Sequence, residues 1–333
     1  MDFTGFPRRR YIKDPTPLEP MPRLSKTLGG KVNLWVKRDD LLPGAAGGNK
    51  TRKLEFCIGE ALAQGADTLI TCGAVQSNHC RLTLAWARKE GLDCHLILKE
   101  RVPGAYKPKA SGNNLLFHLL GADGTKVISS ESDMLEEMQK TAAELQKAGK
   151  KPYIIPMGGS NVVGAIGYAL FAGELMAQIN ETGLKVDHIF IPTGSAGTHA
   201  GIVTGLFGIN ANIPVMGIDI LSGDRNSQET LVHRLALELA EMLSIPAVPR
   251  ELVVCNDEYV GPGYSLPTEA MKEAVFLFAR QEGILLDPVY SGKTAAGLID
   301  FVRQGKFAAG SNVIFLHTGG TPALYAYQDT FFL

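Results

Sequence analysis

Seven short apolar, largely β-branched runs, separated by longer stretches of helical period, constrain this chain more than any other feature. The runs fall at 34–37, 68–72, 95–98, 153–155, 188–191, 215–218 and 313–316. Their apolar residues are nearly continuous, which predicts strands covered on both faces. Helical patterns occupy 50–64, 78–90, 133–148, 163–179, 227–243, 267–282 and 294–304. In the first of these, Leu54, Ile58, Ala61 and Leu62 share a face and Gly65 supplies a stop. Alternating strand and helix requires crossover connections, hence parallel sheets and an α/β fold. Ligands of such folds bind at the carboxyl ends of strands, beside helix N-termini.

Composition narrows the partners. The 33 Lys and Arg against 34 Asp and Glu argue against nucleic acid or an anionic membrane as the main partner. Five cysteines, an odd number with no Cys-x-x-Cys spacing, predict free thiols in a reducing compartment and no metal site. Asp2, Pro7 and Arg8, Arg9 and Arg10 fall where an export signal needs an apolar stretch, and no run nears 18 uninterrupted apolar residues. The expectation is a cytoplasmic protein without a transmembrane helix.

Several polar, glycine-containing segments stand where sites are expected. Gly47-Gly48-Asn49-Lys50 is a loop entering a helix, in which glycines permit close approach to a ligand and Asn49 suits an N-cap. Lys50 then sits at the positive end of the helix dipole, which disfavours a cation by about 0.3–1 kcal/mol. With burial this lowers the amine pKa, and a neutral amine can attack an aldehyde. A surface lysine is the alternative, and Lys53 reads as solvated. Gln76-Ser77-Asn78-His79 follows a strand and opens a helix; it suits a carboxylate or phenolate oxygen, or is only a cap.

Gly194-Ser195-Ala196-Gly197-Thr198 can wrap a phosphate with N–H and O–H donors. It lacks both the lysine of a nucleotide P-loop and the spacing of a dinucleotide fold. That suits a phosphate that is held but never transferred; a plain strand–loop–helix turn is the alternative. The 157–161 segment looks similar and reads as structural. Near the C-terminus stand Tyr264, Asp287-Pro288-Val289-Tyr290-Ser291 and His317-Thr318-Gly319-Gly320. The tyrosines could equally cover the core edge with wet hydroxyls, and Ser291 could cap a helix.

In this order, the segments resemble the pyridoxal 5′-phosphate family of 1-aminocyclopropane-1-carboxylate deaminase, D-cysteine desulfhydrase and L-cysteate sulfo-lyase, the sulfo-lyases nearest. The resemblance runs from about Pro15 to Tyr327. It implies a tryptophan-synthase-β-like (type II) α/β fold, with two open, twisted, mainly parallel sheets flanked by helices, and a homodimer. Residues 1–49 and 163–333 would form a large cofactor-binding domain and 50–162 a small one.

By the same resemblance Lys50 is the Schiff-base lysine, and Gly194, Ser195, Ala196, Gly197 and Thr198 hold the phosphate. Asn78 meets the pyridine 3-hydroxyl. Gln76, Ser77 and Asn78 bind the substrate, Tyr290 stacks near the ring, and Tyr264 lies by the substrate. Ser291, with Thr318, stands where the cyclopropane deaminases carry a glutamate at the pyridine nitrogen. A hydroxyl makes the ring a weaker electron sink and favours β-elimination. The resemblance thus implies L-cysteate going to pyruvate, sulfite and ammonia, with D-cysteine desulfhydration as the alternative. A cyclopropane deaminase or a non-catalytic binding protein ranks lower. The lean to cysteate rests on Ser265, as a donor to a sulfonate or else as a cap for the helix near Pro267. It also rests on the 99–106 segment, whose Lys99 and Arg101 could instead be exposed.

Overall fold

The computed structural model describes residues 1–332. Its strands are β1 (Leu18–Pro20), β2 (Asn33–Lys37), β3 (Thr68–Ala74), β4 (Asp93–Lys99), β5 (Gly124–Ile128), β6 (Pro152–Ile155), β7 (His188–Thr193), β8 (Val215–Asp219), β9 (Val254–Asn256) and β10 (Asn312–Leu316). They form a six-stranded sheet of order β1-β2-β10-β7-β8-β9 and a four-stranded sheet of order β5-β4-β3-β6. Among the described residues only the β1–β2 pair is antiparallel. All seven strands expected from the sequence are present. The additions are short or exposed: β1 and β9 have three residues each, and β5 is an edge strand whose Thr125, Lys126 and Val127 face water. None of them carries the continuous apolar run that marks a buried strand.

The helices are α1 (Pro22–Thr27), α2 (Lys50–Ala63), α3 (Asn78–Glu90), α4 (Asn113–Leu120), α5 (Met134–Lys147), α6 (Val162–Thr182), α7 (Gly197–Gly208), α8 (Arg225–Met242), α9 (Glu269–Glu282), α10 (Ser291–Arg303) and α11 (Thr321–Leu324). The stretch Met157–Thr182 is long and apolar enough, by length and composition, to cross a membrane. In the fold α6 packs against α2, α7 and α8, with Tyr168, Phe171 and Leu175 in the core. A helix apolar all round is what an interior position requires. Its neighbour α7 comes close because Gly201 and Gly205 face it: a Cβ there would lie 2.5 Å from Tyr168 Cβ and 2.6 Å from Ala169 O respectively.

Beneath these helices lies a buried charge network. Arg52 donates to both oxygens of Asp39 at 2.8 Å and to Glu174 at 2.8 Å, and Lys37 Nζ donates to Glu174 Oε1 at 2.6 Å. Burial alone would raise the Asp39 pKa; Arg52 and Lys37 outweigh it and hold the carboxyl below its usual range. Removing one partner from such a network leaves an uncompensated charge and costs about 3–5 kcal/mol. The network fixes the first turns of α2 against β2 and α6. Both sheets then aim their strand carboxyl ends at one cleft, β7 and β10 from one side and β3, β4 and β6 from the other.

Candidate active site

The cleft encloses about 800 Å³, part of it open to solvent. Lys50 lies in it, placed by the glycine loop ahead of α2. Gly47 has φ +71°, and a Cβ there would lie 2.2 Å from Asp40 O, so only glycine fits this turn. Arg81 ties the loop down by donating to Ala45 O and, at 2.9 Å, to Gly47 O. Asn49 precedes the helix as expected, but its side chain does not cap it. Asn49 Oδ1 accepts from Lys50 Nζ at 3.0 Å, and Asn49 Nδ2 donates to Thr198 Oγ1 at 3.1 Å. Burial lowers the Lys50 pKa to about 8, with the Asp287 carboxylate opposing the shift. The surface-lysine alternative does not describe this residue.

One end of the cleft is an anion cradle. Gly194, Ser195, Ala196 and Thr198 line it at the carboxyl end of β7 and the start of α7. Ala196 sits at φ +68°, an uncommon conformation for a residue with a Cβ and one found where a turn is over-determined by its surroundings. Gly197 lies behind the wall, its N–H donating to Ser195 O at 2.9 Å and Ser160 Oγ at 3.3 Å. Two features depart from the sequence reading. Lys53 is buried, not solvated: its Nζ donates to Gly158 O at 3.1 Å and Ser160 Oγ at 2.9 Å, and burial, helped by the Lys50 charge, pushes its pKa well down. The 157–161 segment also takes part, since Met157 and Gly158 line the cleft and Ser160 Oγ lies 2.8 Å from Ser195 Oγ. The i, i+3 spacing of Lys50 and Lys53 on α2 is the signal that could have found Lys53.

The other end is built from side chains. Ser77 caps α3 by accepting from Cys80 N at 3.1 Å, and it lines the cleft with Asn78. Asn113 Nδ2 donates to Asn78 Oδ1 at 2.9 Å, leaving the Asn78 amino group as the free donor. The Tyr264 and Tyr290 hydroxyls lie 2.7 Å apart, and the Lys50 Nζ stands 5.9 Å from the Tyr290 ring centroid. Burial raises both phenols, Tyr290 to about 12, so both stay protonated. Thr318 lines the wall, and so does Arg101, whose guanidinium lies 5.0 Å from the Tyr264 ring centroid.

Besides Gly197, three expected residues do not face the cleft. Gln76 has both amide ends occupied, Oε1 accepting from Asn113 N at 2.8 Å and Nε2 donating to Ser111 O at 3.0 Å. Ser291 Oγ donates to Asp287 Oδ1 at 2.7 Å and accepts from Asp287 N at 2.8 Å, which leaves Thr318 as the hydroxyl on the wall. Ser265 lies beside the Tyr327 phenol, and Thr268, not Ser265, caps α9. It is neither a donor on the cleft wall nor a helix cap.

An amine of lowered pKa facing a glycine-built anion turn, between two parallel sheets, defines a site for an aldehyde that carries a phosphate. The cradle fits such a group, since a Cβ on Gly158 would lie 2.4 Å from Ser195 Oγ and close the turn. The chain matches the family of pyridoxal-phosphate dependent enzymes over residues 10–319 and belongs to that family. It is 42% identical over 328 residues to a D-cysteine desulfhydrase of Klebsiella pneumoniae (strain 342), covering 98% of each chain. A D-cysteine desulfhydrase of Salmonella typhimurium is 42% identical over 327 residues, again with 98% of each covered. The crystal structure of an ACC deaminase homologue matches with TM-score 0.88 at 35% identity, covering 98% of this chain and 96% of that one. O-Ureido-L-serine synthase, at 17% identity and TM-score 0.65 over 95% and 91% of the two chains, shares the fold. The α/β fold, the resemblance and the pyridoxal-phosphate cofactor expected from the sequence all stand.

Proposed function

We propose that the chain is a carbon–sulfur lyase that uses pyridoxal phosphate on Lys50 to remove a sulfur substituent and the amino group from a small amino acid. The observation that carries this reading is the Lys50 amine, drawn down to about 8 and set in one cleft with the 194–198 turn. When bound, the cofactor would supply the electron sink that lets a Cα proton leave. Lys50 Nζ would take that proton as general base. Ser77 and the N-terminus of α3 would hold the substrate carboxylate. The hydrogen-bonded Tyr264–Tyr290 pair, protonated because it is buried, would pass a proton to the departing sulfur. Thr318, on the cleft wall, would offer the ring a hydroxyl rather than an acid, which would favour expelling a good leaving group over opening a cyclopropane.

The relatives' names support sulfide release from D-cysteine above the cysteate reading expected from the sequence. Cysteate is kept as a second reading because of one observation, the Arg101 guanidinium on the cleft wall. The proposal takes residues 1–49 and 163–333 as the large domain and 50–162 as the small one, in a cytoplasmic homodimer. The test is product release from D- and L-cysteine, D- and L-cysteate and 1-aminocyclopropane-1-carboxylate. Pyruvate from a sulfur substrate is expected; 2-oxobutanoate from the cyclopropane alone would overturn the reading.

A further inference from the structure

A second cavity lies between β4, β5, α4 and the loop that precedes α4, and it shares no lining residue with the cleft. It encloses about 690 Å³, part of it open to solvent, which is room for one small molecule. Leu98, Phe117 and Ala122 give it an apolar wall, completed by Tyr106 and Thr125. Among the described residues that line it none is Asp, Glu, Lys or Arg. An ion entering would therefore shed water without gaining a counter-charge. One polar group on the wall is left open. Asn114 is 5% exposed, its Nδ2 donates to Lys107 O at 3.2 Å, and its Oδ1 has no hydrogen-bond partner. A carbonyl only accepts, so Lys107 O fixes which end of the amide is the NH2 and leaves an acceptor unused. A buried acceptor is costly until a donor reaches it.

The same elements reach the cleft. Asn113, beside Asn114 on α4, donates from Nδ2 to Asn78 Oδ1 at 2.9 Å and from its backbone N to Gln76 Oε1 at 2.8 Å, so the first turn of α4 holds the start of α3. A single loop runs from Arg101 on the cleft wall to Tyr106 at the cavity and on to Lys107, which binds Asn114. Gly112 ends that loop at φ +74°, where a Cβ would lie 2.7 Å from Gln76 Oε1 and 2.8 Å from Pro322 O. We propose that this cavity is a second ligand site, taking an uncharged, mostly apolar molecule with an N–H or O–H donor for Asn114 Oδ1. An occupant ties the 101–112 loop to α4 and so steadies Asn78 and Arg101 in the cleft. Occupancy and substrate binding then favour the same arrangement, and each tightens the other by the same factor. The site is independent of which substituent the enzyme expels.

The probes are indole and 1-methylindole, which are close in size and differ in the N–H donor. Calorimetry on the holoenzyme is expected to show one indole bound per chain, with 1-methylindole weaker by about tenfold. Asn114→Leu should abolish that preference, so that the two probes bind alike. Thr125 is exposed on β5, a strand position that suits an aromatic side chain, and Thr125→Trp should block both probes while leaving pyruvate release in their absence unchanged. Saturating indole should lower the KM for D-cysteine about fivefold in wild type and not in Thr125→Trp. Equal binding of the two probes to wild type, or indole binding that survives Thr125→Trp, would overturn the site. Donor-dependent binding that leaves KM unmoved would overturn its coupling to the cleft. Absence of pyruvate from every sulfur substrate would take down the lyase reading, while calorimetry would still decide the cavity.

Discussion

The two ends of the cleft are made differently. The cradle end is mostly main chain: a strand–turn–helix at 194–198 backed by Gly158 and the buried Lys53. The substrate end is mostly side chains, with Ser77 and Asn78 from the four-stranded side, Tyr264, Tyr290 and Thr318 from the other, and Arg101 reaching between. Backbone donors are placed by the fold and survive most substitutions, whereas side-chain donors can be exchanged one at a time. A fold built this way can keep its cofactor while its substrate changes. The comparisons are consistent with that, since proteins named for different chemistry share this architecture.

Lys50 belongs to both ends, so Lys50→Ala should have the largest effect. Pyruvate release should fall at least about a thousandfold, and borohydride should no longer fix cofactor to the chain. Turnover surviving this substitution would remove the shared point on which the comparison turns. The same amine predicts a pH dependence. Only the neutral form captures an aldehyde, and burial sets the pKa at about 8. Cofactor capture by the apoenzyme should therefore rise about tenfold per pH unit between pH 6 and 8 and level off above. A capture rate flat across this range would mean that Lys50 is not held at that pKa.

How far each end could be read from the sequence follows from the same contrast. Turn chemistry is local, so the 47–50 and 194–198 loops were visible as glycines and hydroxyls between a strand and a helix. The buried strands were visible because an apolar run has few other uses. What a side chain touches is a long-range fact. Lys53 reads as one more lysine until the 157–161 segment is folded over it. Ser291 and Gln76 have the right chemistry, yet Asp287 and Asn113 claim their hydrogen bonds first. Ser265, on which the cysteate reading leaned, is turned towards Tyr327, and the cleft-wall donor beside Tyr264 is Arg101 instead.

The cradle end should fail through cofactor retention. A Cβ on Gly197 would lie 2.7 Å from Ser160 Oγ, 2.9 Å from Lys53 Nζ and 3.0 Å from Ser160 Cα. Overpacking of this kind costs about 1–3 kcal/mol, so Gly197→Ala should weaken cofactor binding roughly tenfold or more. Saturating cofactor should restore most of the kcat. Loss of kcat at full occupancy would show that the cradle also sets the reacting geometry.

The substrate end should fail the other way, and Lys293 offers the smaller but cleaner test. This lysine is fully buried on α10, and its Nζ donates to Val260 O at 2.6 Å and Gly263 O at 2.8 Å, pinning the loop that carries Tyr264. Lys293→Met leaves two carbonyls without their donor, a cost of about 1–3 kcal/mol borne by the loop rather than by the sheet. Tyr264 would then sample positions away from Tyr290. KM should rise several-fold, with kcat falling less and the cofactor absorbance unchanged, because the two bonds of Lys293 hold the 260–263 loop and not the 194–198 turn. If cofactor were lost instead, the two ends would be one mechanical unit, and the substrate could not be changed independently of the anchor.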